Sequence, residues 1–347
     1  MQSAFAIAGQ LIQPGENRLL RLPLPGLHSE TSVHMPVRVI HGREAGPVLF
    51  LSGAVHGDEI NGIEIIRRIL SLPSLKRMKG TLLAVPIVNV LGFDSHSRYL
   101  PDRRDLNRCF PGQEEGTLAA RIANIFMQEI VVRSSIGIDL HTAAIHRDNF
   151  PQIRADLKDP ALYNLAYSFA APVLLHSAPP VGSLRHAAAH KSVSVMVFEA
   201  GEALRFDELS IRVAVHGILN VMRELNMLPP AKARKKSRPT VLLRSSHWVR
   251  ASKSGILRAQ VKLGDIVNKG EVLGIISDPT GQSDQMVLAS GDGIIIGRTN
   301  IPLIYEGEAL FHIGSSHQRA LLADHLDTLS HQDELTPPEL VEEPVIV

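Results

Sequence analysis

The alternation of strand-like and helix-like segments over residues 32–228 is the feature that most limits how this chain can fold. "PVLFLSGAV" (47–55) is a continuous apolar run, which suits a strand that is covered on both faces. The segment after it places Ile63, Ile66 and Leu70 on one helical face. Alternation of this kind predicts an α/β domain with a largely parallel or mixed sheet.

The same pattern continues along the region. Apolar and β-branched runs predict further strands at "GTLLAVPIVNV" (80–90), "IGIDLHT" (136–142) and "SVSVMVFEAGE" (192–202). Helical periodicity predicts helices at 117–133 and 207–225. Hydrophobic residues make up 44% of the chain, so a sizeable core can form between these elements.

The alternation stops at "LPPAKARKKSRPT" (228–240), where three prolines and a basic cluster predict a linker. Beyond it, short apolar strands alternate with glycine turns, and "VNKGEVLGII" (267–276) can be aligned with "IYEGEALFHI" (304–313). We therefore predict a first domain over 1–228, a linker over 229–240, a small all-β domain over 241–314 and a polar tail over 315–347.

Charge and apolar runs limit the partners and the location. The formal net charge of +1 argues neither for nor against nucleic-acid or membrane binding. The basic cluster of the linker contains no interleaved aromatic residues, so we expect a solvated linker and no nucleic-acid binding. The first residues lack the basic start and apolar stretch of a signal peptide, and no apolar run reaches about 18 residues. We expect a cytoplasmic protein that does not bind membranes, and the sequence leaves a homo-oligomer open.

Histidines and acidic residues supply the candidate metal ligands. Because Cys109 is the single cysteine, a metal would have to be held by His, Asp or Glu. His56 and Glu59, in "HGDE", follow the 47–55 strand at the edge where open α/β sheets bind ligands. Each of these residues alone is more often an ordinary surface group than part of a site.

A second strand completes the set. Asp139 and His141, in "IDLHT", are two positions apart, so both project to one side of a strand. His56, Glu59 and His141 would form a His₂Glu set, which holds zinc and leaves one position for water or substrate. Asp139 would then accept a hydrogen bond from a ligand imidazole and fix its tautomer.

Four motifs occur in a fixed order: H-G-D-E at 56–59, "RYLPDRRDLNRCFPG" at 98–112, D-L-H-T at 139–142 and "VFEAGE" at 197–202. In combination they resemble the succinylglutamate desuccinylase/aspartoacylase family, relatives of the zinc carboxypeptidases. The resemblance implies a zinc-carboxypeptidase-like mixed sheet flanked by helices. It also implies one Zn²⁺ per chain and removal of an acyl group from a small N-acyl amino acid or related amine.

The resemblance also implies roles for the metal ligands and the base. His56, Glu59 and His141 match the zinc ligands of the family. Glu199 matches the general base that takes a proton from water and passes it to the leaving amine. Glu202 lies three positions further on, but the first Glu of the motif is the better match.

Other matches concern the substrate. Arg98 resembles the arginine that polarises the scissile carbonyl, and Asn107 with Arg108 resembles the pair that holds the substrate carboxylate. Arg103 or Arg104 could take the place of Arg98, although the adjacent tyrosine favours Arg98.

The segment "GSLRHAAAH" (182–190) carries two further candidates. Arg185 precedes Glu199 by 14 positions and is a candidate substrate contact. His186 and His190 are four apart and could bind a metal on a helix. With no acidic third ligand nearby, an alanine-rich helix surface is the favoured interpretation of that pair.

The predicted C-terminal domain resembles a biotinyl/lipoyl-like β-barrel. In carrier domains of that type a lysine at a hairpin tip takes the cofactor, whereas the corresponding hairpin here, "SDPTGQSDQM" (277–286), has no lysine. We expect this domain to be unmodified and to shape the active-site entrance or an oligomer contact. Two alternative functions stay open for the whole chain: a zinc carboxypeptidase-like peptidase and a non-catalytic binding protein on the same scaffold.

Overall fold

The computed structural model describes residues 2–26, 28–230 and 240–315, which contain six α-helices and nineteen strands. The helices are α1 (Asn61–Ser71), α2 (Val90–Asp94), α3 (Leu118–Glu129), α4 (Pro160–Ser168), α5 (Leu184–Ala189) and α6 (Glu208–Glu224). The strands before residue 230 are β1 (Phe5–Ile7), β2 (Gln10–Ile12), β3 (Asn17–Pro23), β4 (His34–His41), β5 (Val48–Gly53), β6 (Thr81–Val85), β7 (Ile136–Ala143), β8 (Arg147–Ala155), β9 (Val173–His176) and β10 (Ser194–Glu202). Those after residue 240 are β11 (Val241–Leu243), β12 (Ser245–Arg250), β13 (Gly255–Ala259), β14 (Ile266–Val267), β15 (Val272–Ser277), β16 (Asp284–Leu288), β17 (Gly293–Thr299), β18 (Leu303–Ile304) and β19 (Ala309–Ser315).

A large mixed sheet forms the centre of the protein. Its strand order is β12-β19-β17-β8-β10-β7-β5-β6-β4-β3, with β9, β11 and β14 attached beside this path. The neighbouring strands β10, β7, β5 and β6 run parallel, while β8 pairs antiparallel with both β10 and β17. The predicted mixed sheet flanked by helices is therefore confirmed.

Helices cover both faces of this sheet. One core cluster joins α1, α4 and α6 to strand residues such as Leu49, Leu51 and Phe198. A second cluster, on the other face, joins α3 and α5 to residues such as Phe50 and Val195. Because strands with apolar side chains on both faces need cover on both, the continuous apolar runs of the sequence lead directly to this three-layer arrangement.

Helix α1 illustrates how the sequence sets the packing. Its buried face carries Ile65, Ile66 and Ile69, whereas Ile63 and Leu70 lie partly buried at its flanks. The predicted helix is thus present, with its buried stripe rotated slightly from the predicted one. The long helix α6 begins at Asp207, whose carboxylate accepts hydrogen bonds from two free backbone N–H groups of the first turn.

The region after residue 240 contains only strands in its described residues, 240–315. Part of it forms a separate four-stranded sheet, β16-β15-β13-β18, and part joins the central sheet, because β17 pairs with β8. The all-β character is as predicted, while the barrel type and the domain boundaries stay predictions. The basic cluster of the predicted linker (231–239) and nearly all of the predicted tail (316–347) lie outside the described residues.

Within residues 2–26, 28–230 and 240–315, no helix combines the length and the apolar composition that a bilayer crossing requires.

The contact between Gly137 and Phe50 allows a test of the core. The two residues are cross-strand partners in β7 and β5, and a Cβ atom on Gly137 would lie 2.1 Å from the Phe50 ring. We expect Gly137→Ala to lower the free energy of unfolding by about 1–3 kcal/mol, measured by denaturant titration, because the buried ring must move. Adding Phe50→Leu should recover part of the loss. Gly26→Ala, with no atom within 4 Å of its Cβ, should be neutral, and an equal loss there would contradict this account.

Candidate active site

The loop that follows β5 carries the first two candidate ligands. Ala54 has a left-handed backbone conformation (φ 48°), which turns the chain sharply at the end of the strand. Gly57 packs against α2 so closely that a Cβ atom would lie 2.0 Å from the Gly92 carbonyl carbon. This compact loop brings His56 and Glu59 into the interior, where they are 4% and 1% exposed.

The third candidate ligand comes from the neighbouring strand β7. Nδ1 of His141 lies 2.8 Å from Oε2 of Glu59, and Nδ1 of His56 lies 2.7 Å from Oε1 of Glu59. One ligand atom from each of the three residues lies within 4.8 Å of the others. The structure therefore brings His56, Glu59 and His141 together as a buried group that could hold a metal ion.

Carboxylates behind the two imidazoles set their orientation. Nε2 of His56 lies 3.1 Å from Oδ1 of Asp105, and Nε2 of His141 lies 2.7 Å from Oδ2 of Asp139. The Ser52 hydroxyl donates to the other oxygen of Asp139 at 2.6 Å. Each imidazole lies between two carboxylates, which only accept, so both of its ring nitrogens can donate when no cation is bound. Loss of the Nδ1 proton would leave a lone pair for a cation, while Nε2–H stays hydrogen-bonded to Asp105 or Asp139. The donor set thus fits a divalent ion such as zinc.

The electrostatics of the group centre on Glu59. Burial opposes ionisation of Glu59, but His56 and His141 outweigh it and hold the pKa of this carboxyl far below its usual range. Burial also opposes charge on His141, but Asp139 and Glu59 raise its pKa well above the ordinary value. The backbone N–H of Thr142 donates to Oε2 of Glu59 at 3.0 Å, so this carboxylate stays charged in the interior.

The nine favoured site residues from the sequence all line one cavity of about 300 Å³. They are His56, Glu59, Arg98, Asn107, Arg108, Asp139, His141, Arg185 and Glu199. The cavity lies where β5, β7 and β10 end, which is the ligand-binding edge expected for parallel strands.

Arg98 lies beside the candidate metal ligands. Its guanidinium donates to Oε1 of Glu59 at 3.1 Å and to Oδ2 of Asp105 at 3.0 Å. Arg103 and Arg104 are outside the lining of the cavity, and Arg104 pairs with Asp102 instead. Of the three arginines in this loop, Arg98 is therefore the one that reaches the site.

Asn107 and Arg108 are placed by a short 3₁₀ turn. The Asp105 carboxylate accepts from the Asn107 backbone N–H at the start of that turn. Oδ1 of Asn107 accepts from the Leu184 N–H at 2.9 Å, which connects the turn to the start of α5. Arg108 is exposed at the cavity rim, and its guanidinium donates to the Asn107 carbonyl.

Glu199 lies on β10 directly beside His141, its parallel cross-strand partner. Oε2 of Glu199 accepts from Asn149 at 2.8 Å, and Oε1 pairs with Arg154 at 3.2 Å. A register shift follows Glu199 in the strand, and Glu202 lies outside the cavity lining. The first glutamate of the motif is therefore the one at the site.

Arg185 lies deeper in the wall. Its guanidinium donates to the Ser177 carbonyl at 3.0 Å and to the Ser177 hydroxyl at 3.3 Å. Burial, together with the nearby Arg154, lowers the pKa of Arg185 to about 10. His186, on the same helix, and His190, at its C-terminal cap, lie outside the cavity lining.

Sequence reasoning missed several residues of the wall. Arg147 and Arg154 come from β8, and Trp248 and His312 come from β12 and β19 in the C-terminal region. The Trp248 and His312 rings stack at 4.5 Å, with Arg147 over the indole at 5.2 Å. Burial and Arg154 lower the pKa of His312 to about 3, so its ring is neutral. No motif marks these residues, and only the strand pairing brings them here.

Comparison with known proteins agrees with this geometry. The family model of the succinylglutamate desuccinylase/aspartoacylase catalytic domain matches residues 45–225, which is more than half of the chain. The chain belongs to the succinylglutamate desuccinylase/aspartoacylase family. That range contains all nine residues and every candidate metal ligand.

Individual relatives extend over most of the chain. It is 26% identical over 297 residues to the N-alpha-acetyl-L-2,4-diaminobutyric acid deacetylase of Halomonas elongata, covering 82% of this chain and 86% of that protein. The product-bound ectoine utilization protein EutE (DoeB) from Ruegeria pomeroyi is 26% identical, with a TM-score of 0.79 over 91% of this chain and 100% of that one. A succinylglutamate desuccinylase/aspartoacylase from Rhodobacter sphaeroides is 25% identical, with a TM-score of 0.77 over 87% of this chain and 96% of that one. This chain is thus a member of a deacylase family along most of its length.

The hydrogen bond from His141 to Asp139 provides a test of the candidate metal site. Asp139→Asn removes the negative acceptor that fixes the imidazole, so we expect the affinity for a divalent ion to fall about 10–100-fold. Competition with a chromophoric chelator would measure it. His186→Ala is the matched control, and loss of affinity in that variant, or none in Asp139→Asn, would contradict the placement of the metal site.

Proposed function

We propose that the chain is a zinc-dependent amidohydrolase that removes the acyl group from a small N-acyl amino acid or related amine. One observation carries the proposal: His56, Glu59 and His141 meet Glu199 in a single buried cavity of a chain from a deacylase family. One Zn²⁺ per chain, bound by the first three residues, would lower the pKa of its water to about 7 and supply a nucleophile at neutral pH.

In this proposal Glu199 moves the protons. Its carboxylate accepts a proton from the attacking water and then gives it to the nitrogen that leaves as an amine. Glu199 suits this task because it borders the cavity next to His141. Arg154 and Asn149 hold one carboxylate oxygen each, which limits its rotation.

Arg98 acts on the carbonyl. Negative charge develops on the carbonyl oxygen during attack, and a fixed guanidinium can lower the barrier by about 3 kcal/mol. Both carboxylate partners of Arg98, Glu59 and Asp105, are themselves hydrogen-bonded to His56. This arrangement fixes the guanidinium beside the candidate metal ligands before any substrate binds.

The charge of the cavity favours an anionic substrate. Each acidic group of the lining has a cationic or imidazole partner: Glu59 and Asp139 pair with His141, and Glu199 pairs with Arg154. The Arg185 guanidinium, by contrast, donates to the uncharged carbonyl and hydroxyl of Ser177. We propose that Asn107 and Arg108 hold the substrate carboxylate, with Arg185 as a further contact.

The two alternative functions predict different reaction products. A peptidase would release free amino acids from dipeptides without hydrolysing N-acyl amino acids. A non-catalytic binding protein would bind zinc at one per chain without hydrolysing either. Glu199 lines the cavity and is held by Arg154 and Asn149, and a carboxylate in this position supports the hydrolase over the non-catalytic binding protein. The cytoplasmic location and the absence of nucleic-acid and membrane partners stay predictions from the sequence.

A substrate screen with a base variant tests the proposal. Zinc-loaded protein should release free amine from at least one member of an N-acetyl, N-succinyl and other N-acyl amino acid panel. Glu199→Gln should bind zinc as the parent does and lose turnover by about 10³-fold or more, because an amide cannot accept the proton. Glu202→Gln is the matched control. A Glu199→Gln variant as fast as the parent would show that another group is the base.

The C-terminal region is proposed to shape the entrance rather than to carry a cofactor. Trp248 and His312 border the cavity, and the hairpin between β15 and β16 has no lysine at its tip. Trp248→Ala should therefore change the ranking of substrates in the same panel. Intact-protein mass spectrometry should give the unmodified mass, and an increase matching biotin or lipoate would refute this assignment.

A further inference from the structure

We propose that strand β17 of the C-terminal region positions the Glu199 carboxylate. Two series of side-chain contacts begin at β17, and one ends at each carboxylate oxygen. The inference rests on the proposed role of Glu199 as the base, and it adds Gly297 and Gln152 as positioning residues that act through Asn149 and Arg154. Neither the sequence motifs nor the family match, which ends at residue 225, includes β17.

The first connection runs through Asn149 to Oε2. Asn149 is 7% exposed and is the cross-strand partner of Gly297 in β17. Its Nδ2 donates to Oε2 of Glu199 at 2.8 Å. A Cβ atom on Gly297 would lie 2.8 Å from Oδ1 of Asn149, closer than real Cβ contacts allow. The missing side chain at 297 thus leaves the space in which the Asn149 amide sits.

Space, and not backbone conformation, is what position 297 requires. Gly297 is not among the glycines with a positive φ, so an alanine could adopt its backbone without strain. The added methyl group would instead press on the Asn149 amide and on the Cβ atom of His312, 3.3 Å away. Its effect would be transmitted to Glu199 by displacement of Asn149.

The second connection runs through Gln152 and Arg154 to Oε1. Gln152 is fully buried, and its Nε2 donates to the Ile296 carbonyl of β17 at 3.0 Å. Its Oε1 accepts from Nε of Arg154 at 3.3 Å, and Arg154 pairs with Oε1 of Glu199 at 3.2 Å. Nε2 of Gln152 also donates to the Phe150 carbonyl of β8 at 3.1 Å. Two adjacent residues of β17 thus contact the side chains that lead to both oxygens of the carboxylate.

Orientation matters more for a base than for a simple charge. A carboxylate held at both oxygens cannot rotate away from the proton it must accept, and a misplacement of about 1 Å can cost on the order of 10²-fold in rate. Substrate binding depends on other residues of the cavity. A defect introduced at β17 should therefore lower kcat and leave KM nearly unchanged.

Gly297→Ala in the zinc-loaded full-length protein is the direct test. We expect kcat to fall at least about tenfold, with KM within about twofold of the parent value, on whichever N-acyl amino acid the parent hydrolyses best. Gly291→Ala is the matched control, because the nearest atom to its Cβ is 3.8 Å away. Parent-like kcat in Gly297→Ala, or an equal loss in Gly291→Ala, would overturn the inference.

A double-mutant cycle separates positioning from general destabilisation. Asn149→Ala removes the amide that the new methyl group would meet, so Gly297→Ala should cost little more kcat in that background than Asn149→Ala alone. Fully additive losses would show that Gly297 does not act through Asn149. If Gly297→Ala fails to fold, Gln152→Met tests the other connection with the same split of kcat from KM, and unchanged kcat there overturns it.

A crystal structure of the Gly297→Ala variant tests this inference separately from the proposed function. A parent protein that hydrolyses no member of the panel would contradict the deacylase assignment, and with it the role of Glu199. In a crystal structure of Gly297→Ala, Nδ2 of Asn149 should lie beyond 3.5 Å from Glu199, whether or not the parent is active. An unmoved Asn149 would refute the positioning role of β17 by itself.

Discussion

The buried carboxylate of Glu59 is the group around which the site is organised. Its two oxygens face Nδ1 of His56 and Nδ1 of His141, and Arg98 donates to one of them. An ionised carboxylate costs several kcal/mol to bury alone, so these partners have to be in place when the protein is folded. A divalent ion between the same donors would compensate the charge in the same manner. The hydrogen bonds to Asp105 and Asp139 keep both imidazoles aimed inward.

The order of strands in the sheet explains why these groups meet. Parallel strands β5 and β7 deliver their final residues to the same edge, and β10 adds Glu199 beside His141. The opposite side of the cavity depends on antiparallel strands: β8 contributes Asn149 and Arg154, and β17 and β19 follow next in the sheet. The region after residue 240 is therefore continuous with the central sheet, which connects it directly to Glu199, the proposed base.

Part of this arrangement could be predicted from the sequence. The apolar runs and helical periodicity indicated the layered α/β fold, and the ordered motifs with the 182–190 segment supplied nine favoured site residues that all line one cavity. The remaining residues could not be found in that way, because Asn149, Arg154, Trp248 and His312 belong to no motif. They reach the cavity through the pairing of β8 with β17, which are far apart in the chain, and through the pairing of β19 with β17 and β12. Single-sequence patterns carry little information about which distant strands pair, since pairing depends on packing of the whole sheet.

The most direct measurement of the central claim is a crystal structure of zinc-loaded protein with anomalous diffraction recorded on both sides of the zinc absorption edge. The account predicts one anomalous peak per chain, within bonding distance of Nδ1 of His56, Nδ1 of His141 and a carboxylate oxygen of Glu59, with Glu199 facing the fourth position. A peak at other residues, such as His186 and His190, or zinc bound without Glu59, would contradict it.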